Sequence, residues 1–132
     1  MNIKLGQINS IIGALNAVGD LDLPVKISYW FARTAAQLQP EIEPFDKQRI
    51  KLLKKYSKVD KKGELILDDN QQAQLKDPEA FAEDYAKFAK EEINVKMKKI
   101  SIEKLGEVNI KPAIMAALLP LFLKEGENEE DE

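Results

Sequence analysis

Residues 23–57 read LPVKISYWFARTAAQLQPEIEPFDKQRIKLLKKYS, and this stretch decides the fold of the chain. Its apolar side chains recur mostly at steps of three, four or seven, which is the spacing of one face of an α-helix. They are Ile27, Trp30, Phe31, Ala35, Leu38, Ile42, Phe45, Leu52, Leu53 and Tyr56. Pro40 and Pro44 each remove a backbone donor inside this stretch. Because the apolar spacing continues through both prolines, we predict one long, kinked helix rather than two helices.

The segments on either side of this helix predict further helices and short strands. Residues 2–18 carry apolar residues at helical spacing, and the short G-D-L-D-L-P turn at 19–24 favours an antiparallel helical hairpin. Asp77 and Pro78 form a typical helix start, with an N-cap carboxylate followed by proline at the first helical position. Residues 93–97 alternate apolar and polar side chains, which predicts a half-buried strand.

The remaining segments complete the predicted fold. Residues 59–67 indicate a turn at Gly63 followed by a strand, and residues 68–76 are polar and indicate a loop. Pro112 begins a last helix that is apolar on every side and is bent or ended by Pro120. We therefore predict a mostly helical α+β fold: a long kinked helix in an antiparallel helical hairpin, a small two- or three-stranded sheet and an apolar C-terminal helix.

Length and charge indicate one domain with an acidic end. A chain of 132 residues is expected to form a single domain, which we place at residues 1–124. The last eight residues, EGENEEDE at 125–132, carry six carboxylates and no cation, which predicts a disordered acidic tail. Without them the chain has 20 basic and 17 acidic side chains, so the body is mildly basic.

The composition argues against catalysis. The chain contains no cysteine and no histidine, which removes thiolate nucleophiles, cysteine metal sites, the usual general base and the commonest metal ligand. Its four serines and its one threonine stand in no recognisable nucleophile motif, and neither a P-loop nor a G-x-G-x-x-G motif is present. We therefore expect no enzyme activity, no catalytic residues, no metal site and no cofactor.

The strongest charge feature lies in the second half of the long helix and the turn after it, where residues 47–62 contain eight basic side chains and one acidic one. Five of these basic residues form what we call the lysine face: Lys47, Lys51, Lys54, Lys55 and Lys58. One interpretation is a phosphate-binding surface for nucleic acid, or a surface that attracts an acidic partner. The other is the water-facing side of an amphipathic helix, since lysine is a good helix former that is easily left exposed.

Two apolar clusters are candidates for a protein interface. Tyr29 and Trp30 belong to three adjacent aromatic residues, which cannot all face one core from a helix. The final helix contributes Ile114, Met115, Leu118, Leu119, Leu121 and Phe122. Each cluster is either core or interface, but a helix that is apolar on every side exceeds what so small a domain is expected to cover. With about 12 apolar residues it is also too short for a membrane span, which needs roughly 20. We therefore expect a homo-oligomer.

Six short pieces of the chain together resemble short proteins encoded by tailed bacteriophages. The pieces are Leu23–Lys26, Lys47–Tyr56, Asp60–Gly63, Phe81–Phe88, Ile93–Met97 and Ile100–Leu105. The resemblance implies a phage gene product, either a virion component or an early protein acting on the host, located in the host cytoplasm or the virion. No signal peptide is recognisable.

The function that combines these observations is a non-enzymatic phage protein acting through self-association and binding to another phage or host protein. Two alternatives stay open. One is nucleic-acid binding through the lysine face, and the other is inhibition of a host defence enzyme.

Overall fold

A computed structural model describes residues 1–124 of the chain, and the acidic segment 125–132 lies outside the described residues. Within residues 1–124 the fold is mostly helical α+β, as the sequence predicts. In chain order the elements are β1 (Asn2–Lys4), α1 (Ile8–Val18), α2 (Val25–Tyr56), α3 (Pro78–Ala89), β2 (Glu92–Asn94) and α4 (Pro112–Leu118). Single 3₁₀-helical turns occur at Leu5–Gln7, Ile102–Leu105 and Leu119–Leu121. No helix in this part of the chain combines the length and the apolarity that a membrane span requires.

The long helix α2 is continuous over 32 residues, which corresponds to about 48 Å at 1.5 Å per residue. Pro40 and Pro44 both lie inside it, so the expectation of one helix rather than two is confirmed. Both prolines are exposed, and the carbonyl groups that lose a helical donor can therefore bond to water. Leu38 and Phe45, on the opposite side of the helix, are buried before and after the first proline.

The core lies where α1 packs against the first half of α2. Almost the whole inner face of α1 is buried, including Ile8 and Ile11 at 0% exposure. From α2 the core receives Ile27, Phe31 and Leu38. Each buried aliphatic or aromatic side chain contributes about 1.5–3 kcal/mol relative to its exposed state, so this helical hairpin is the main source of stability.

The first residues form a strand instead of the start of a helix, which corrects the prediction of one helix over 2–18. β1 pairs antiparallel with β2, with Ile3 opposite Ile93. Ile3 is 1% exposed whereas its neighbours Asn2 and Lys4 point outward, which is the alternation of a strand. The amino group of Met1 donates to the carbonyl oxygens of Val95 and Met97, at 2.8 Å in both cases.

The predicted strand at 93–97 is shorter than expected and ends at Asn94. Val95 and Met97 are nevertheless buried, as the alternation indicated. Further along, Ile100 forms an isolated parallel bridge with Phe122, and its carbonyl accepts a hydrogen bond from the backbone amide of Leu123 at 2.8 Å. The end of the described chain is thus tied to the sheet side of the molecule.

Residues 57–76, which we call the turn unit, join α2 to α3. Three short extended segments pair with one another through the isolated bridges Ser57↔Leu75, Val59↔Leu65 and Leu67↔Ala73. Gly63 has φ = +82°, as the predicted turn requires. The predicted loop at 68–76 is instead a second copy of the first turn, since Asp60 and Asp68 each accept two backbone N–H bonds from the residues two and four positions ahead.

The final helix is largely part of the core, contrary to the expectation of an uncovered apolar segment. Leu118 and Leu121 are 0% exposed and Phe122 is 2% exposed. The Phe122 ring packs edge-on against Phe31 of α2, with 6.4 Å between the ring centroids. α4 packs on α1, so one copy of the chain already covers these three side chains.

Candidate interaction surfaces

The eight predicted interface residues divide into three groups in the structure. Leu118, Leu121 and Phe122 are buried within the chain, which corrects their assignment to an exposed interface. Trp30, Ile114 and Met115 are half-buried and pack against the core cluster. Tyr29 and Leu119 remain exposed, at 64% and 55% of their surface. Leu119 lines a groove to which Tyr29 does not contribute, so the two exposed residues belong to separate surfaces.

The first surface is a groove of about 710 Å³, which we call the α4 groove. It lies between the outer face of the β1–β2 sheet and the end of α4. Its apolar wall comes from Ile102, Ala116, Leu119, Pro120, Phe122 and Leu123, and its polar rim from Asn2, Lys4, Gln7, Glu92, Lys99 and Lys124. An apolar wall inside a polar rim is typical of a surface that binds another molecule.

The 3₁₀-helical turn at the end of α4 explains why Leu119 faces the α4 groove. In a 3₁₀ helix, side chains three residues apart lie on the same side. Leu118 and Leu121 therefore enter the core together, and Leu119 is directed away from it. Ile102, which is 45% exposed, lines the same groove. Local sequence does not identify Ile102 as a groove residue, because the spacing of its neighbours does not reveal that the end of α4 lies across from it.

The second surface is an exposed face of α2, which we call the α2 face. Its members are Val25, Tyr29, Ala32, Arg33, Ala36, Pro40, Glu43, Lys47, Ile50, Lys51 and Lys54, all exposed except Lys54, which is half-buried. At 100° per residue these positions lie within about 100° of one another around the helix axis. Its first half, the apolar half, is mostly apolar and small with Arg33 as its one charged residue, and its second half, the lysine half, carries three lysines together with Glu43 and Ile50. Sequence spacing and charge single out Tyr29 and the lysines separately, and only the continuous helix connects them as one face.

A small apolar cavity borders the α2 face. It has a volume of about 280 Å³ and lies between α1 and α2. Leu15 and Val18 of α1 and Phe31, Ala32 and Ala35 of α2 contribute to its walls. Ala32 belongs to both the cavity and the exposed face, so an apolar group lying on the face can reach the cavity.

The lysine face has few ionic partners among the described residues. Lys47 pairs with Glu43 at 2.9 Å, and Lys54 approaches Glu64 at 3.9 Å. The ammonium of Lys55 lies 5.1 Å from the centroid of the Tyr56 ring. Lys51 and Lys58 are exposed and form no ion pair within residues 1–124. Exposed pairs of this kind contribute about 0–1 kcal/mol, so the positive charge of the lysine face is largely available to a partner.

A phenol–carboxylate contact links the end of α2 to α3. The hydroxyl of Tyr56 donates a short hydrogen bond to Asp84, and nearby the rings of Phe45 and Phe88 stack with 5.3 Å between centroids. The hydrogen bond to Asp84 raises the pKa of Tyr56 above its usual value of 10.0. The phenol of Tyr56 is thus a hydrogen-bond donor that ties the end of α2 to α3.

Within residues 1–124 no group of three or more carboxylates is arranged to hold a metal ion. Comparison of the chain with protein-family models, with curated proteins and with solved structures finds no match.

Proposed function

We propose that this chain is a non-enzymatic interaction protein of a tailed bacteriophage, a virion component or an accessory factor, that self-associates and binds other proteins. The phage context comes from the short sequence pieces that resemble phage proteins. The mode of action comes from the exposed apolar surfaces, of which the α4 groove carries the proposal for self-association.

The observation that supports this proposal is the exposure of Leu119 and Ile102 on the wall of one groove. Leu119 is 55% exposed although Leu118 beside it is completely buried. Covering a fully exposed leucine or isoleucine side chain gains about 1.5–3 kcal/mol, and these two side chains would gain part of that together. A partner that covers both therefore gains free energy at a single place.

A second copy of the chain suits the shape of the α4 groove. A two-fold interface uses the same surface on both subunits, so that surface must present both a projection and a depression. Leu119 is an apolar projection beside the depression that it helps to line. On the polar rim, Lys4 and Glu92 are neighbours in the β1–β2 register and supply both signs of charge.

The test is size-exclusion chromatography with light scattering over a range of protein concentrations. We expect the unmodified chain to be a dimer or larger, and the double variant Leu119→Glu/Ile102→Glu to be a monomer, because two charged side chains would replace the apolar contacts of the groove wall and would have to be desolvated in the interface. Leu67→Glu is the matched control, since Leu67 is 46% exposed and does not line the groove. A monomeric unmodified chain, or a double variant that associates like the control, would contradict the proposal.

A further inference from the structure

The geometry of the α2 face points to a docking site for an acidic amphipathic helix of another protein. This inference rests on the proposed role in protein binding, but it concerns a different surface from the α4 groove. Two features support it: an uncovered apolar half with a neighbouring cavity, and a lysine half without strong ionic partners.

The α2 face has the dimensions of a helix-binding surface. Val25 and Lys54 stand at its two ends, about 44 Å apart at 1.5 Å per residue. The face is continuous, because its members stay on one side of a helix that continues through both prolines. An amphipathic helix laid along such a face is a recurrent mode of peptide recognition.

The apolar half requires an apolar anchor from the partner. Val25 and Tyr29 are 85% and 64% exposed, the highest values among the large hydrophobic side chains in the described residues. Ala32 and Ala36 follow them and are small enough for a partner backbone to approach closely. The cavity beside Ala32, at about 280 Å³, offers room for one inserted side chain.

The remaining residues of the α2 face determine the charge of the partner. Lys51 has no ion pair within the described part of the chain, and Lys47 and Lys54 pair only with exposed carboxylates. Lys26 flanks the apolar half, Arg33 stands at the same angle around the helix as Lys51, and both are exposed, whereas Glu43 is the one carboxylate within the face. The complementary surface is therefore apolar at one end and acidic at the other, with further carboxylates along its edges.

Neither a second copy nor nucleic acid satisfies both halves of the α2 face. Two copies paired in parallel would place lysines against lysines. If two copies pair antiparallel with their apolar halves against each other, the lysines of each copy lie past the end of the partner helix and stay uncovered. A duplex presents phosphate along its whole length and has no apolar end to cover Val25 and Tyr29.

The probe is a designed helical peptide of about 28 residues, a length that matches the α2 face at 1.5 Å per residue. One face of the peptide carries leucines in its first half and glutamates in its second half, and binding to the full chain is measured by fluorescence anisotropy. We expect Tyr29→Asp and the double variant Lys47→Glu/Lys51→Glu each to weaken binding by about tenfold or more. We also expect affinity to fall between about 50 and 300 mM salt because the charged half is exposed.

Lys61→Glu/Lys62→Glu is the matched control, because it reverses two exposed lysines of the turn unit away from the α2 face and should leave the affinity unchanged. Circular dichroism verifies that every variant is folded. The inference is overturned if the peptide does not bind, if a peptide with lysine in place of glutamate binds equally well, or if Tyr29→Asp has no effect. Displacement by duplex DNA with no contribution from Tyr29 would assign the lysines to nucleic acid instead. Because the α4 groove is tested by light scattering with different variants, failure of one proposal is distinguishable from failure of the other.

Discussion

At the scale of single residues, the hydroxyl of Ser57 is the least satisfied group of the described chain. Ser57 is 1% exposed, and its Oγ has no hydrogen-bond partner within residues 1–124. A buried hydroxyl without a partner loses its bonds to water and gains nothing in return, which costs about 1–3 kcal/mol. We therefore expect Ser57→Ala to raise the free energy of unfolding by about 1 kcal/mol, measured by urea denaturation. A loss of stability in this variant would show that the hydroxyl does have a partner.

The contact between Tyr56 and Asp84 makes the stability of the fold dependent on pH in the alkaline range. Since the hydrogen bond to Asp84 raises the pKa of Tyr56 in the folded state, the folded chain binds this proton more tightly than the unfolded chain. The contribution to stability is therefore fully present below the unfolded value of about 10 and is lost as pH rises through the higher folded value.

We expect the unmodified chain to lose stability more steeply above pH 10 than Tyr56→Phe does, while the two curves run parallel below pH 9. Denaturation at a series of pH values provides the measurement, and the comparison cancels the titration of the lysines. The difference in tyrosinate absorbance between the unmodified chain and Tyr56→Phe isolates the ionisation of Tyr56 from that of the other two tyrosines. Identical pH dependence in the two proteins would disprove the assignment.

At the scale of elements, two glycines at the N-terminal end of the chain have opposite roles. A Cβ added at Gly6 would lie 2.8 Å from the Cβ of Ala89, so the absence of a side chain lets the first 3₁₀-helical turn approach the end of α3. A Cβ added at Gly13, inside α1, meets nothing within 4 Å. Local sequence does not distinguish the two positions, because the residue that Gly6 contacts, Ala89, belongs to an element far along the chain.

Substitution of glycine by alanine should have opposite effects on stability at these two positions. Gly13→Ala should stabilise the protein by about 1 kcal/mol, the difference in helix propensity between the two residues. Gly6→Ala should destabilise it by about 1–3 kcal/mol, because the added methyl forces the turn away from α3. Thermal or urea denaturation of the two variants gives opposite shifts if the packing is as described, and shifts of the same sign would contradict it.

The turn unit shows how local sequence signals succeed and fail within one element. Gly63 was predicted from sequence because a positive φ strongly favours glycine. The second turn has Gln71 at the equivalent position, with φ = +62°, and glutamine is not a residue type that predicts a positive φ. Asp68 repeats the role of Asp60 by accepting backbone bonds, which holds a glutamine in a conformation it rarely adopts. In this second turn, the sequence feature that predicts the turn is Asp68 and not the residue at the positive-φ position.

At the scale of the whole molecule, adjacent leucines separate core from surface in the final helix. Leu118 is 0% exposed between α1 and the rest of the core, whereas Leu119 is 55% exposed. We expect Leu118→Ala to cost about 3–5 kcal/mol, the range for a buried leucine that leaves a cavity. Leu119→Ala should cost less than about 1 kcal/mol at protein concentrations where the chain is monomeric. Equal losses for the two variants would show that the helix is oriented differently.

Periodicity and cap chemistry, which are local, were enough to predict the helices. The apolar spacing between Ile27 and Tyr56 correctly predicted one continuous helix in spite of the two prolines. The prolines are tolerated because both lie on the exposed side of α2. The N-cap at Asp77 also followed from local sequence, and its Oδ1 accepts the amide of Ala80 at 3.1 Å. The two-stranded sheet was harder to predict, since Asn2 and Asn94 are 92 positions apart and each strand has only three residues.

The sequence by itself determined the helical class of the fold, the continuity of α2, the basic lysine face and the lack of cysteine and histidine chemistry. Each of these depends on neighbours within one or two helical turns or on composition alone. The tertiary structure decided which apolar residues are core and which are exposed. Leu118 and Leu119 are the same residue type at adjacent positions, and only the surface of α1 and the 3₁₀-helical turn after α4 give them different surroundings.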